Sequence, residues 1–292
     1  MKKNYGPVYS LPLGLWITIF FIVPTCIIFI YSFLTKATYG GVQWQFSLEG
    51  YKALANTSFV NVVWITVYIS VISTFLTVLF AIPTAYYIAR NKHKNQLLLL
   101  VIIPFWTNFL IRVYAWIAIL GNNGFVNNIL VKLGVIDTYI QFLYNQYAVI
   151  LVIIYTYLPY AILPLYSSIE KFDFSLLEAA RDLGATKAQA FFKVLLPNIK
   201  GGLATSILFT FIPALGSYVI PMLVGGKDSM MLGNIISREL TTTRNWPLAS
   251  SISVVLTVIT MIGVLLFLKL NKNNLESIKK LVVREKAGEE SI

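Results

Sequence analysis

The chain has 292 residues, of which 57% are hydrophobic and only 12% are charged, and its mean hydropathy is +0.73. Soluble proteins carry about 25% charged residues, so this composition excludes an ordinary soluble domain. The formal charge of +11 does not indicate nucleic-acid binding, because the basic residues flank long apolar blocks instead of forming one patch. A single cysteine, Cys26, excludes a disulfide or a multi-cysteine metal site within one chain.

Six apolar blocks are long enough to cross a hydrocarbon layer about 30 Å thick, which takes about 20 helical residues. They are residues 11–34, 60–89, 97–120, 147–166, 203–224 and 248–270. The first block is too long for a secretory signal and no small-residue cleavage site follows it, so we interpret it as a retained helix. The sequence therefore predicts an all-α integral membrane protein with six transmembrane helices.

No internal repeat or low-complexity linker divides the chain. We interpret residues 1–59 as an N-terminal transmembrane helix with an outer loop, residues 60–270 as the main membrane domain, and residues 271–292 as a cytoplasmic tail. With the N-terminus in the cytoplasm, sixteen of the 23 lysines and arginines fall inside, six fall outside, and Arg112 lies within the third block. Because basic residues are enriched in cytoplasmic loops, we expect both termini to be cytoplasmic.

The longest cytoplasmic segment, between the fourth and fifth blocks, reads SSIEKFDFSLLEAARDLGATKAQAFFKVLLPNIKGG. Ser175 and Glu178 have the spacing of a capping box, which predicts the start of a short helix, and Gly184 is placed to end it. A second box, Thr186 with Gln189, predicts another short helix that stops before Pro197. The exposed apolar residues of such a pair indicate a docking surface for a soluble partner, and contact with lipid is the alternative.

The run EAARDLGATKAQAFFKVLLP resembles the signature of permeases from binding-protein-dependent (MetI-like, EAA-motif) ABC importers, with Val194 where isoleucine is usual. The resemblance implies that this segment is the coupling helix, which transmits movement from a separate nucleotide-binding subunit. The positions that match the signature, and that we expect to couple to the ATPase, are Glu178, Ala179, Ala180, Gly184, Leu196 and Pro197.

Other stretches, such as PFWTNFLIRVYAWIAIL and LPYAILPLYSSIEKFD, are similar to the B-type permease subunit of spermidine/putrescine importers. This resemblance implies a multi-pass protein of the bacterial inner membrane that transports polyamines. The implied partners are ABC ATPase subunits, a second (C-type) permease subunit, an extracytoplasmic polyamine-binding protein and membrane lipid. We expect no nucleic acid, no cofactor, no metal and no catalytic residue, because ATP hydrolysis belongs to the partner subunits.

A polyamine is a cation at neutral pH, and its expected contacts are carboxylates and aromatic faces. Glu49, Asp137, Asp228 and Glu239 fall in predicted outer loops, where they meet either a cation or a docked binding protein. Candidates for the translocation path within the spans are Trp106, Asn108, Arg112, Tyr114, Trp116, Tyr155, Tyr157 and Tyr218. The alternative for each aromatic residue is a place in an interfacial belt or in helix packing.

Arg112 is the one charged residue deep in a predicted span, and such a residue is a functional candidate. It repels a polyamine, so we predict that it pairs with an outer-loop acid such as Glu239, or with backbone carbonyls, and steadies the outer gate.

Two other functions stay open. An ion-coupled secondary transporter would place acids or ligating broken helices within its spans, and the spans carry no such acids. An ABC permease for a different small solute is the second alternative. A membrane-embedded enzyme is disfavoured, because no span carries paired carboxylates, a metal-ligand cluster or a nucleophile with its base.

Overall fold

The structure is a computed structural model that describes residues 6–289, with the side chains of residues 11–265 and 267–269. Lys2 and Lys3, on which part of the predicted orientation depends, lie outside the described residues. So do the side chains of the predicted tail, although its backbone continues the last helix to Glu289.

Helices make up most of the described chain, and one β-hairpin interrupts them. In chain order the elements are α1 (Gly6–Ile17), a π-helical turn (Thr18–Ile22), α2 (Val23–Tyr31), β1 (Leu34–Lys36), β2 (Val42–Phe46), α3 (Glu49–Leu54), α4 (Thr57–Arg90), α5 (Lys94–Ile102), a 3₁₀ turn (Ile103–Trp106), α6 (Phe109–Leu120), α7 (Phe125–Lys132), α8 (Gln146–Glu170), α9 (Ser175–Asp182), α10 (Lys187–Ala190), a π-helical turn (Phe191–Leu195), α11 (Leu196–Asn198), α12 (Lys200–Leu215), α13 (Val219–Val224), a 3₁₀ turn (Lys227–Ser229), α14 (Leu232–Thr241) and α15 (Trp246–Glu289).

Five helical stretches within the described residues are long and apolar enough to cross a membrane, and a bent pair raises the number to six. The five are Leu11–Tyr31, Thr57–Arg90, Phe109–Lys132, Gln146–Glu170 and Trp246–Lys269, and the pair is Lys187–Asn198 with Lys200–Leu215, bent by 74°. The fold is therefore the predicted α-helical membrane protein.

The third predicted span is interrupted in its middle. The helix that begins at Lys94 ends in a 3₁₀ turn, and Thr107 is extended, with φ −76° and ψ 148°. Pro104 has no amide donor for a helical hydrogen bond, which weakens the helix there. Asn108 then starts α6, because its side-chain oxygen accepts the Leu110 N–H at 2.8 Å.

The chain divides into two compact units, and the first comprises the described residues up to Val63 with Leu232–Met261. Its hairpin pairs β1 antiparallel to β2 across Gly40 and Gly41, which have φ values of +94° and +87°. The Gly41 N–H donates to the Arg244 carbonyl oxygen at 2.9 Å. Because L residues rarely adopt positive φ, the two glycines allow this tight connection.

Close packing of small residues joins α3 to α15 inside the first unit. A Cβ atom added to Gly50 would lie within 2.3 Å of the Ser251 hydroxyl oxygen. The Ser251 hydroxyl donates to the carbonyl oxygens of Ser32, at 3.1 Å, and Pro247, at 2.9 Å. The Tyr51 hydroxyl donates to the Ser32 Oγ at 2.8 Å. Ser32, which directly follows α2, therefore links α2 to α3 and α15.

The second unit comprises Trp64–Met231 and the described residues from Ile262 onward. Helix α8 is its centre, with Ile153, Leu165 and Ile169 fully buried. Helix α12 lies directly against α8: a Cβ added to Gly202 would come within 2.4 Å of Ser168 Cβ. The buried Ser206 hydroxyl donates to the Ala161 carbonyl. Small residues allow such close approach between membrane helices.

Candidate functional site

The segment between α8 and α12 contains the predicted pair of short helices. Helix α9 begins at Ser175, and the Asp173 carboxylate accepts the Ser175 N–H at 3.0 Å. Hydrogen bonds from Ser175 hold the pKa of the Asp173 carboxyl below its ordinary value, because they favour the charged form. The predicted capping box of Ser175 with Glu178 is wrong. Because Ser175 is already the first helical residue, its side chain lies one position past the cap, and Asp173 supplies the acceptor instead.

The turn between the two helices is as predicted. Gly184 has a φ of +88°, its N–H donates to the Arg181 carbonyl, and the Ala185 N–H donates to the Ala180 carbonyl. These two bonds form a Schellman motif, which satisfies free carbonyls at a helix end. Both hydrogen bonds of the box formed by Thr186 and Gln189 are present, at 3.2 Å and 2.9 Å.

The prediction that the second helix stops before Pro197 is wrong. After α10 the chain widens into the π-helical turn at Phe191–Leu195, and α11 includes Pro197. Pro197 lies two residues after this π-helical turn, near the end of the continuous helical stretch Lys187–Asn198. The direction changes only at Ile199, whose ψ of 11° interrupts the helix and separates α11 from α12.

Helix α9 has two different faces. Leu183 is 91% exposed, and Leu176 and Ala179 are also exposed. On the other face, Phe174 and Leu177 pack against the buried apolar cluster around Leu165 and Leu195, as does Leu196 of the signature. The exposed apolar strip is the kind of surface that a soluble partner buries.

A groove of about 410 Å³ lies between the end of α4 and the inner faces of the two short helices. Three cationic side chains and one carboxylate line it together with aromatic and aliphatic groups: Tyr86, Arg90, Phe174, Leu177, Glu178, Arg181, Lys187, Ala190 and Phe191. Glu178 of the signature therefore lies beside arginine and lysine side chains of its own chain.

Arg90 joins α4 to Phe174, the residue that precedes α9, a contact that the sequence did not predict. Its guanidinium carbon lies 5.3 Å from the centroid of the Phe174 ring and 5.8 Å from that of Tyr86. Arg90 also donates to the Tyr86 hydroxyl at 3.0 Å. The spacing of four residues between Tyr86 and Arg90 is a readable helical signal, whereas nothing local indicates Phe174.

A second link, also missed, joins the start of α5 to the end of α8. Lys94 Nζ and the Glu170 carboxylate form an ion pair at 2.6 Å, and the Tyr166 hydroxyl donates to the same carboxylate oxygen at 2.6 Å. The end of α8 is therefore held to the start of α5.

Two of the predicted path residues, Arg112 and Tyr157, are linked through two further aromatic rings of the second unit. The Arg112 guanidinium lies 4.7 Å from the Phe105 ring centroid, and Phe105 contacts Tyr160 edge-on, with 5.3 Å between the ring centroids. Tyr160 is 6.1 Å from Tyr157, whose hydroxyl donates to the Pro213 carbonyl at 3.3 Å. A chain of aromatic rings thus connects Arg112 of α6 through α8 to α12.

The predicted pairing of Arg112 with backbone carbonyls is wrong for its Nε and Nη1 atoms, and its pairing with Glu239, which lies in the other unit, stays a prediction. The Glu239 carboxylate is buried and accepts hydrogen bonds from Arg238 and Thr243. Within the described residues, Nε and Nη1 of Arg112 are buried and have no hydrogen-bond partner.

The other predicted path residues have varied surroundings. Trp106 is 81% exposed and directly precedes the break in the third span. The side-chain oxygen of Asn108 caps α6. Tyr155 contacts Trp116 edge-on at 5.4 Å, and Tyr218 is the residue that precedes α13.

Of the four predicted outer-loop acids, three are exposed. These are Glu49, Asp137 and Asp228. Glu239 is buried in its bonds to Arg238 and Thr243, so its carboxylate is not available to a cation.

The apolar spans and the paired short helices between α8 and α12 define a multi-pass α-helical membrane protein of the permease class. The chain belongs to the family described as binding-protein-dependent transport system inner membrane component, whose sequence model matches residues 70–274. The predicted class, an ABC importer permease of the inner membrane, is therefore confirmed.

Similar proteins include two spermidine/putrescine transport system permease proteins named PotB. The one from Haemophilus influenzae is 38% identical over 259 residues, which cover 88% of this chain and 91% of that protein. The one from Escherichia coli K12 is 37% identical over 246 residues, which cover 84% of this chain and 90% of that protein.

Solved structures show the same fold at lower identity. A chain from a bacterial alginate ABC transporter, crystallised with an alginate-bound periplasmic protein, has a TM-score of 0.74 at 18% identity and covers 91% of this chain and 93% of that one. A chain of the MetNI methionine ABC transporter has a TM-score of 0.51 at 21% identity, with coverage of 75% and 95%.

Proposed function

We propose that this chain is the permease subunit that, side by side with a second (C-type) permease subunit, forms the translocation path of an ATP-driven importer for spermidine and putrescine. The observation that carries the substrate class is the similarity to the two PotB proteins over nearly their whole length. The importer class itself follows from the family.

In this proposal the ATPase subunits bind the exposed apolar face of α9. Leu176, Ala179 and Leu183 insert into a cleft of the ATPase, and Gly184 sets the angle of the turn that follows. ATP-driven closure of two ATPase subunits then displaces the segment from Glu178 to Pro197. The contacts of Arg90 with Phe174 and of Lys94 with Glu170 support this, because they give displacement of the segment a route into α4, α5 and α8.

We further propose that polyamines pass along aromatic side chains of the spans. Trp106 and the exposed Tyr155 and Tyr218 offer ring faces to a cation. One cation–π contact contributes about 0.5–2 kcal/mol, which guides a cation without trapping it. In this proposal the exposed acids Glu49, Asp137 and Asp228 meet either the cation or an extracytoplasmic binding protein, and both termini lie in the cytoplasm.

The test is uptake of radiolabelled spermidine and putrescine by cells that lack this chain, with and without the chain restored on a plasmid. We expect uptake to depend on the chain and on ATP. Excess unlabelled spermidine should compete, whereas an uncharged amino acid should not. Undiminished uptake without the chain would refute the polyamine assignment. Uptake that persists in energised vesicles with ATP hydrolysis blocked would favour an ion-coupled transporter.

A further inference from the structure

The groove between the end of α4 and the two short helices carries an excess of positive charge. Arg90, Arg181 and Lys187 line it together with a single carboxylate, that of Glu178. The ion pairs among the described residues involve none of these four side chains. All three cationic side chains are exposed, so a solute can reach them. Three positive charges and one negative charge therefore leave the lining of the groove with a net charge of +2.

The guanidinium of Arg90 is already fixed in position at the groove. Its carbon lies 5.3 Å from the ring centroid of Phe174 and 5.8 Å from that of Tyr86. An arginine has five N–H donors, and among the described residues Arg90 uses only Nη1, which donates to the Tyr86 hydroxyl at 3.0 Å. The remaining donors can bind an anion with little further loss of side-chain entropy, because a stacked, planar guanidinium is preorganised.

The groove lies on the side of α9 opposite to its exposed apolar strip. Leu177, Glu178 and Arg181 line the groove, whereas Leu176 and Leu183 are exposed. At 3.6 residues per turn, these two sets of positions point in roughly opposite directions from the helix axis. An ATPase bound to the strip, as proposed above, therefore leaves the groove open.

The position and the chemistry of the groove favour a phosphate group over other anions. Arg90 is the last residue of α4 and the only charged one in its 34 residues. Because about 20 apolar residues cross the hydrocarbon layer, this end of α4 reaches the level of the lipid headgroups. Phosphate presents several acceptor oxygens, which side chains from α4, α9 and α10 can bind together, and arginine binds it through paired hydrogen bonds. The volume of about 410 Å³ lies in the usual range of ligand sites, about 300–1,000 Å³.

We propose that this groove binds a phosphate group, held by Arg90, Arg181 and Lys187, that belongs either to an anionic lipid or to a soluble phosphate. A ligand that contacts α4, α9 and α10 at once stabilises their present arrangement. Bound phosphate therefore restrains the segment between α8 and α12. The binding site does not depend on which solute is transported.

The first experiment measures binding to the full-length chain, with the subunits that co-purify, in a maltoside detergent free of phosphate. The probes are inorganic phosphate and phosphatidylglycerol added as mixed micelles, and the readout is the rise of the unfolding midpoint with probe concentration. Binding of phosphatidylglycerol alone would support the proposal with lipid as the source. Binding of inorganic phosphate would support it with a soluble source. If neither probe binds, the proposal is overturned.

The second experiment compares charge variants with the better probe. Arg90→Gln and Lys187→Gln should each weaken binding about ten-fold, as expected for loss of a charged hydrogen bond. Lys92→Gln, outside the groove, is the control and should bind normally. Glu178→Gln raises the net charge of the lining and should tighten binding about three-fold. Misfolding cannot cause such a gain, so unchanged or weaker binding by Glu178→Gln would overturn the proposal, as would equal losses in Lys92→Gln and Arg90→Gln.

The restraint on the segment is tested on the unaltered chain. A saturating concentration of the probe that binds should slow protease cleavage between α8 and α12 several-fold, because cleavage requires local opening. Sodium chloride at the same ionic strength is the control and should not protect. Equal cleavage rates with the probe and with the control would overturn the restraint.

Discussion

The Arg90 guanidinium lies 5.3 Å from the ring centroid of Phe174, so the C-terminal end of α4 contacts the residue that directly precedes α9. The two residues are far apart in sequence, and each belongs to a different element. Movement of α9 therefore has a direct mechanical connection to α4.

Replacing Arg90 should weaken coupling more than assembly. Arg90→Gln removes the contact with Phe174 and the hydrogen bond to Tyr86, together about 1–2 kcal/mol at an exposed site. We expect substrate uptake to fall several-fold while the ATPase still co-purifies. The measurement is the ratio of solute transported to ATP hydrolysed in proteoliposomes.

The matched control is Lys92→Gln, which removes a charge from the turn between α4 and α5. It should leave the ratio unchanged. Arg90→Lys should show an intermediate defect, because an ammonium lacks the planar stacking of a guanidinium. Parental coupling in Arg90→Gln would contradict the role given to this contact.

At Gly184, backbone strain should decide which substitutions are tolerated, and the size of the new side chain should matter little. Its φ is +88°, yet a Cβ added there meets no atom within 4 Å. Gly184→Val should therefore destabilise the turn by about 1–2 kcal/mol and reduce ATPase co-purification, whereas Gly184→Asn should be nearly normal, because asparagine accepts left-handed φ. Equal behaviour of the two variants would exclude backbone strain as the reason for glycine.

Gly202 should behave in the opposite way, because its constraint is space. A Cβ there would lie 2.4 Å from Ser168 Cβ and 2.8 Å from the Pro164 carbonyl oxygen. Gly202→Ala should separate α12 from α8 and lower the free energy of unfolding by about 1–3 kcal/mol. The adjacent Gly201 has open space, so Gly201→Ala is the control. Thermal unfolding in detergent compares the two, and equal midpoints would contradict the close packing.

Asp173 should make the start of α9 sensitive to acid. Its pKa is lower in the folded chain than its ordinary value of 3.8, so its contribution to stability is present above about 3.8. That contribution is lost as the pH falls through the lower, folded value. Asp173→Asn should flatten this part of the pH dependence, measured as protease resistance of the segment between α8 and α12.

Ser175→Ala is the comparison, because the Ser175 backbone N–H that binds Asp173 remains. It should reduce the acid dependence without abolishing it, because it removes the side-chain hydrogen bond that is the larger cause of the lowered pKa of Asp173, and it should change stability by no more than about 0.5 kcal/mol. If Ser175→Ala weakened the segment as strongly as Thr186→Ala, for which we expect about 1 kcal/mol, the assignment of the cap to Asp173 would be wrong.

Local chemistry explains which parts of the candidate site could be predicted. The Thr186 and Gln189 box and the left-handed Gly184 depend on a few adjacent residues, so their patterns were sufficient. The Ser175 box failed although its pattern was as good, because α9 begins one residue earlier than a box requires. Whether Asp173 or Ser175 caps α9 depends on how the residues before the helix are packed. Here Phe172 and Phe174 pack on the buried apolar cluster.

The amino-acid sequence alone determined the class of the protein. Uninterrupted apolar length decides whether a segment crosses a bilayer. The signature from Glu178 to Pro197 identified the family, and both signals are properties of consecutive residues. Only the tertiary structure decided that Arg90 contacts Phe174, that α12 lies against α8 at Gly202, and that Nε and Nη1 of Arg112 have no hydrogen-bond partner among the described residues. These relationships join residues distant in sequence, and the packing of whole helices sets them.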